Sequence, residues 1–153
     1  DWVSLTTRVR PQFPTSQAST SSKAHPYLRI DWTNTFTIKL PNDKVSLTAV
    51  LQPSPRWFIN NSETTTDFVF TFNPTLGYQI TDEFGIFADL TLITSHNYGI
   101  ALFDFEQAAD DVLALGFSYA PIKYITFQPA FNIFLDNPNF SLGVITLAID
   151  IAI

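Results

Sequence analysis

The stretch Leu28-Arg-Ile-Asp-Trp-Thr-Asn-Thr-Phe-Thr-Ile-Lys-Leu40 decides how this chain is read. Side chains of an extended strand point alternately to two faces. On that period Leu28, Ile30, Trp32, Phe36, Ile38 and Leu40 share one face, interrupted by Asn34. Arg29, Asp31, Thr33, Thr35, Thr37 and Lys39 share the other. An ordinary strand has roughly five to six residues, and this alternation runs well beyond that.

The pattern recurs on both sides of that stretch. Phe68, Phe70, Phe72, Pro74, Leu76, Tyr78 and Ile80 alternate with Val69, Thr71, Asn73, Thr75, Gly77 and Gln79. Phe84, Ile86, Ala88, Leu90 and Leu92 alternate with Gly85, Phe87, Asp89 and Thr91. Similar segments cover Val45–Gln52, Leu113–Tyr119, Ile125–Ile133 and Phe140–Ile153, with a weaker one at Val3–Arg10. Eight segments of this length predict an all-β fold in one domain spanning 1–153. The bulky face holds Phe, Leu and Ile, and the opposite face holds Thr, Ser, Gly, Ala and Gln. Large residues outside and small ones inside are the pattern of a barrel in lipid. The expected fold is therefore a transmembrane, antiparallel, up-and-down β-barrel of about eight strands.

Composition points the same way. Charged residues make up 14% of the 153 and 15 are Phe, whereas soluble domains carry roughly 25% charge. A helical membrane protein is excluded because a spanning helix needs about 20 consecutive apolar residues. The most apolar stretch, Phe140–Ile153, is interrupted by Ser141, Thr146 and Asp150. Only helices and closed barrels satisfy every backbone group in a bilayer. The net charge of −6, with basic residues scattered along the chain, speaks against a nucleic-acid partner. With no cysteine there is no disulfide framework.

Connections alternate in length. Pro41–Asp43, Thr81–Glu83 and Pro121–Tyr124 are short turns, whereas Pro11–Pro26, Pro53–Thr66 and Thr94–Asp111 read as longer loops. Outer-membrane barrels have short periplasmic turns and longer external loops. Trp2, Trp32, Trp57, Tyr27, Tyr78, Tyr98, Tyr119 and Tyr124 fall near strand ends, where an interfacial girdle would sit.

The segment from Leu115 to Phe131, strand–tight turn–strand, resembles the hairpins of bacterial outer-membrane barrels. Over its full length the chain resembles small eight-stranded members of the OmpA and OmpW types. That resemblance implies a location in the bacterial outer membrane, contact with membrane lipids and a structural or porin-like role. One departure is the terminal Ile153, where such barrels commonly end in an aromatic residue.

The inward face then carries the candidate site. Arg8, Arg10, Arg29, Asp31, Lys39, Asp89 and Asp150 are lumen-lining charges, with Asp67 beside them. Buried opposite charges should pair, which gives either a salt-bridged plug or a polar path for a small solute. Phe87, Ile93, Phe134, Leu142 and Val144 make the rest of the lining apolar. Three readings suit them: a pocket for a lipid or other apolar ligand, a contact within a homo-oligomer, or simple packing. Pro74 and Pro129, mid-strand, suggest bulges, a bend or weakened pairing.

No catalytic, cofactor or metal site is expected. Both histidines, His25 and His96, read as loop residues, and Ser95 beside His96 points the opposite way on an extended chain. Asp104, Glu106, Asp110 and Asp111 lack calcium-loop spacing. The rival reading is a soluble lipocalin-like barrel binding a hydrophobic ligand, with its Phe face turned inward.

Overall fold

The computed structural model describes residues 2–13, 27–40, 44–58, 66–101, 103–109, 111–135 and 143–151. Long alternating segments become long strands: β1 (Val3–Gln12), β2 (Tyr27–Lys39), β3 (Val45–Phe58), β4 (Thr66–Gln79) and β5 (Phe84–Asn97). A two-residue β6 (Glu106–Gln107) precedes β7 (Val112–Ile122), β8 (Ile125–Phe134) and β9 (Val144–Ile151). They form one sheet in the order β1-β2-β3-β4-β5-β7-β8-β9, with β6 against β5, and every pairing is antiparallel. The architecture is an up-and-down meander of eight long strands and one short one. A strand of 14 residues tilted by about 45° rises roughly 30 Å, enough for the hydrocarbon core of a bilayer.

Burial is inverted relative to a soluble protein. Among the described residues no hydrophobic side chain is buried; the buried polar ones are Asp31, Ser54, Ser95 and His96. Large apolar side chains such as Trp32, Ile38, Leu76, Ile86, Leu115, Phe117 and Ile145 are exposed. Those residues share the bulky face of the alternation, and register keeps them together: Ile38 lies opposite Leu47, Leu47 opposite Leu76, Ile86 opposite Phe117. Asn34, the interruption in that face, receives a hydrogen bond from Thr7 Oγ1 at 3.0 Å.

The sheet curls with its polar face concave. A chamber of about 450 Å³ is lined by both Lys39 of β2 and Gln128 of β8. On a flat sheet those strands would lie five spacings, about 24 Å, apart. Curvature alone brings them to one chamber. β1 and β9 form the two edges, and every residue of both is exposed.

Prolines mark where the ladders are cut. Proline lacks the N–H that a strand donates, so it breaks pairing on one side only. Pro74 pairs with Ala49 on β3, but the β4–β5 ladder skips from Phe72↔Leu92 to Thr75↔Asp89. Asn73 Nδ2 fills the gap, donating to the Leu90 carbonyl at 3.1 Å, to Asp89 Oδ1 at 2.7 Å and to Thr91 Oγ1 at 2.9 Å. Pro129 likewise pairs with Leu147, while the β7–β8 ladder skips from Gly116↔Ala130 to Tyr119↔Phe127. Neither proline shifts the register, so pairing is weakened without a bulge. Asn73→Ala should therefore cost about 1–3 kcal/mol, because the Leu90 carbonyl loses this donor and the Asp89 carboxylate loses one of its three. A denaturant titration of the folded chain measures it.

Pro53 and Pro55 behave the same way and correct the expected loop at Pro53–Thr66. They face Phe70 and Phe68 inside β3, which runs on to Phe58. The β2–β3 ladder skips from Asn34↔Leu51 to Arg29↔Arg56, and side chains stitch the opening.

Candidate functional site

Three polar clusters occupy the concave face. The first lies towards the ends of β1, β2 and β3 that lead into the long connections. Arg10 is directly opposite Asp31, Gln12 opposite Arg29, and Arg29 opposite Arg56. Asp31, 7% exposed, accepts from Arg29 Nε, from Gln12 Nε2 and from Ser54 Oγ, the last at 2.8 Å. Ser54 itself is 1% exposed. Proline alternation in β3 makes this possible: Pro53 and Pro55 turn outward, so Ser54 and Arg56 turn inward. Arg8 sits one step further along β1, opposite Thr33.

The second cluster centres on Asp89. Its carboxylate accepts from Asn73 Nδ2 at 2.7 Å, Thr75 Oγ1 at 2.7 Å and Thr91 Oγ1 at 3.3 Å. All three donors are neutral. The third is the chamber near the short turns, lined by Lys39, Lys44, Ser46, Gln79, Phe87 and Ser118 among others. Phe87 reaches across β7 here. A Cβ on Gly116 would come within 2.5 Å of its ring and of the Pro129 carbonyl, so only glycine fits beneath it.

The candidate residues thus separate by position. Arg8, Arg10, Arg29 and Asp31 come together, and Arg56, missed in a segment read as loop, joins them. Lys39 lies at the other end of the same face. Asp89 stands among neutral donors, and Asp150 is opposite Thr126 on the exposed edge strand β9. Of the apolar candidates, Ile93 pairs with Thr71 and Phe134 with Val112, both towards the long connections, whereas Phe87 is in the chamber. Val144 lies on the exposed edge opposite Asn132. Leu142 lies outside the described residues, as does His25.

Asp67 does not join the cluster expected from alternation. A register shift between Thr66 and Phe68 makes it the extra residue of a bulge, and a bulge re-aims its side chains. Its carboxylate meets His96 Nδ1 at 2.7 Å. His96 is likewise no loop residue; it belongs to β5 and sits opposite Phe68 on the apolar face. The outward apolar run of β5 ends at Leu92, and His96 lies beyond it. Phe105 covers it, with ring centroids 5.6 Å from His96 and 6.0 Å from Phe68.

His96 holds the segment that follows β5. Its Nε2 meets the Ala101 carbonyl at 3.0 Å, just after the turn at Gly99, whose φ of 89° suits glycine. With one ring nitrogen on a carboxylate and the other on a carbonyl, only an imidazolium donates to both at once. The hydrogen bond to Asp67 raises its pKa above the ordinary 6.5, against a smaller opposing effect of burial. A raised histidine stabilises fully below its unfolded value and loses that contribution as pH climbs through the folded one. The stability of the 98–107 segment should fall as pH rises above about 6.5, and His96→Gln should flatten that dependence. The proton resonances of His96 followed against pH, together with thermal midpoints, check it.

Among the described residues no three His, Asp or Glu side chains converge on a metal-binding arrangement. Comparison with family models, curated proteins and solved structures finds no match. The functional reading therefore stands on the face chemistry alone.

Proposed function

We propose that this chain is a bacterial outer-membrane β-barrel protein with a structural or porin-like role. The curled sheet closes by pairing β9 with β1, its apolar face meets lipid, and its polar face surrounds a narrow charged centre. The observation that carries this reading is the inversion of burial: Asp31, Ser54 and Ser95 are buried on the polar face, and no apolar side chain is buried among the described residues. Burial of apolar surface is the dominant favourable term in folding. A sheet that exposes its apolar face needs another apolar medium to gain that stabilisation. Hydrocarbon supplies it, and the same geometry argues against the soluble, lipocalin-like alternative.

Closure follows from the backbone. Each unsatisfied N–H or C=O in a bilayer costs several kcal/mol, and an open edge presents a row of them. An even number of long, alternately directed strands leaves β1 and β9 antiparallel and able to pair. Val3, Leu5 and Val9 would then continue the apolar face of Ile145, Leu147, Ile149 and Ile151. An interior of eight strands is just filled by its own side chains, which favours a plugged or very narrow centre over a wide pore. Membrane lipids are the partners of the outer face, and exposed β9 is where a second copy would pack.

The test is refolding into liposomes. A closed barrel should resist protease and migrate differently on gels before and after heating. Because the chain has no cysteine, one introduced into β1 and one into β9 should cross-link within a single chain. Folding to the same sheet in plain buffer as a monomer would overturn the membrane reading.

A further inference from the structure

One row of the concave face is cleared of bulk around a single ring. Across the ladders it runs Lys39, Ser46, Gly77, Phe87, Gly116, Ala130. In the next row Gln79 and Ser118 flank Gly85. The glycines make the room. A Cβ on Gly77 would come within 2.8 Å of Ser46 Oγ, and one on Gly85 within 3.0 Å of Gln79 Oε1 and 3.1 Å of Ser118 Oγ. The resulting chamber of about 450 Å³ falls near the lower end of the roughly 300–1,000 Å³ of small-molecule pockets.

The chamber wall leaves polar groups open, unlike the other two clusters. The carboxylates of Asp31 and Asp89 each accept from three side chains. In the chamber, the side chains of Lys39, Ser46, Ser118 and Gln128 have no hydrogen-bond partner among the described residues. Gln79 uses only its Nε2, which donates to the Thr81 carbonyl at 2.6 Å. Polar groups left open around a cavity are satisfied by water or by a ligand. Hydroxyls and amides both donate and accept, which is what a ligand hydroxyl needs. Lys39, Lys44 and Asp89 put charge of both signs in the wall, which favours a neutral ligand over an ion. The ring of Phe87 supplies a negative face on which polarised C–H groups rest. We propose that this chamber binds a monosaccharide-sized polyol, its C–H face on Phe87 and its hydroxyls on Ser46, Gln79, Ser118 and Gln128. Such a ligand gives the porin-like role a solute, and only its route of entry, from the side of the short turns, rests on the proposed barrel.

The test uses the whole chain folded in a polyoxyethylene detergent, which carries no sugar, with glucose as the probe. Nuclear magnetic resonance follows the side-chain amides of Gln79 and Gln128 and the ring protons of Phe87. All three should shift together and saturate on one curve. Phe87→Leu keeps apolar bulk without the ring, and Gln128→Leu removes an amide. Each should weaken binding about tenfold or more, in keeping with one lost contact; Gln128→Leu decides alone should Phe87→Leu fail to give a strand spectrum. Thr33→Val, on the same face outside the chamber, should bind as the parent does. Absence of saturation, or equal affinity in the parent and the folded chamber variants, overturns the site.

Two further titrations separate the ligand classes. Sodium acetate replaces the polyol by a small anion, and butyl glucoside presents the same sugar on an apolar chain. Binding of free glucose, with or without either of these, supports the chamber; response to acetate alone or to the glucoside alone overturns it. Failure of the chain to enter liposomes would sink the barrel reading and leave the detergent titration to decide the chamber.

Discussion

Phe72→Arg should sharply destabilise the chain folded in a bilayer, and Thr71→Arg, one residue away, should be tolerated. Phe72 sits near the middle of β4, flanked on the same face by Leu51 and Leu92. Thr71 lies on the opposite face, flanked by Gln52 and Ile93. An arginine facing lipid at the midplane costs about 2–4 kcal/mol, on top of the lost Phe contacts. The same charge on the concave face joins a surface already lined by Thr, Gln and Asn. Whole folding free energies are about 5–15 kcal/mol, so the first cost is large enough to read directly. Urea titrations of liposome-folded protein measure both. Equal damage from the two substitutions would undo the assignment of faces. Improved solubility of Phe72→Arg with its fold intact would favour a protein that lives in water.

That contrast turns on what alternation encodes. The strands of Leu28–Lys39 and Phe68–Gln79 were legible because a period of two held over more than ten residues with few exceptions. Facing was legible for the same reason: a bulky side and a small side differ in what they want as neighbours. Proline hid the end of β3. Pro53 and Pro55 read as a loop because each removes a ladder donor, yet each faces outward and cuts only the β2 side. Arg56 and Ser54 were lost with them. A period-two reading carried four residues past Gln52 would have put both on the face of Asp31. The bulge at Asp67 escaped for a different reason. One extra residue reverses parity, and no residue type marks the spot. The Asp67–His96 contact depends on that reversal and on a segment folding back from Gly99, neither of which is local. Whether β1 meets β9 lies beyond any local pattern, because an edge strand alternates in the same way whether or not it has a neighbour.

The cluster around Asp31 carries the second large effect. Asp31→Asn keeps the shape of the side chain and removes its charge. Its side chain is 10% exposed and that of Arg29 25%, so the pair is poorly solvated. Removing one partner of a buried pair typically costs about 3–5 kcal/mol, chiefly because the other charge is left uncompensated; partial exposure of Arg29 places the expected value at the lower end, about 3 kcal/mol. Ser54→Ala deletes one neutral donor and should cost only about 1 kcal/mol. The two together test the mechanism more sharply than either alone. If the penalty of Asp31→Asn comes from stranded positive charge, then Arg29→Gln added to it should restore part of the stability, with a coupling of about 0.5–3 kcal/mol. If it came only from lost packing or hydrogen bonds, the second substitution would add its own cost. Parent, Asp31→Asn, Arg29→Gln and the double, with Ser54→Ala beside them, unfolded in urea under one set of conditions, distinguish these outcomes. An Asp31→Asn penalty no larger than that of Ser54→Ala would mean that water, rather than Asp31, compensates Arg29.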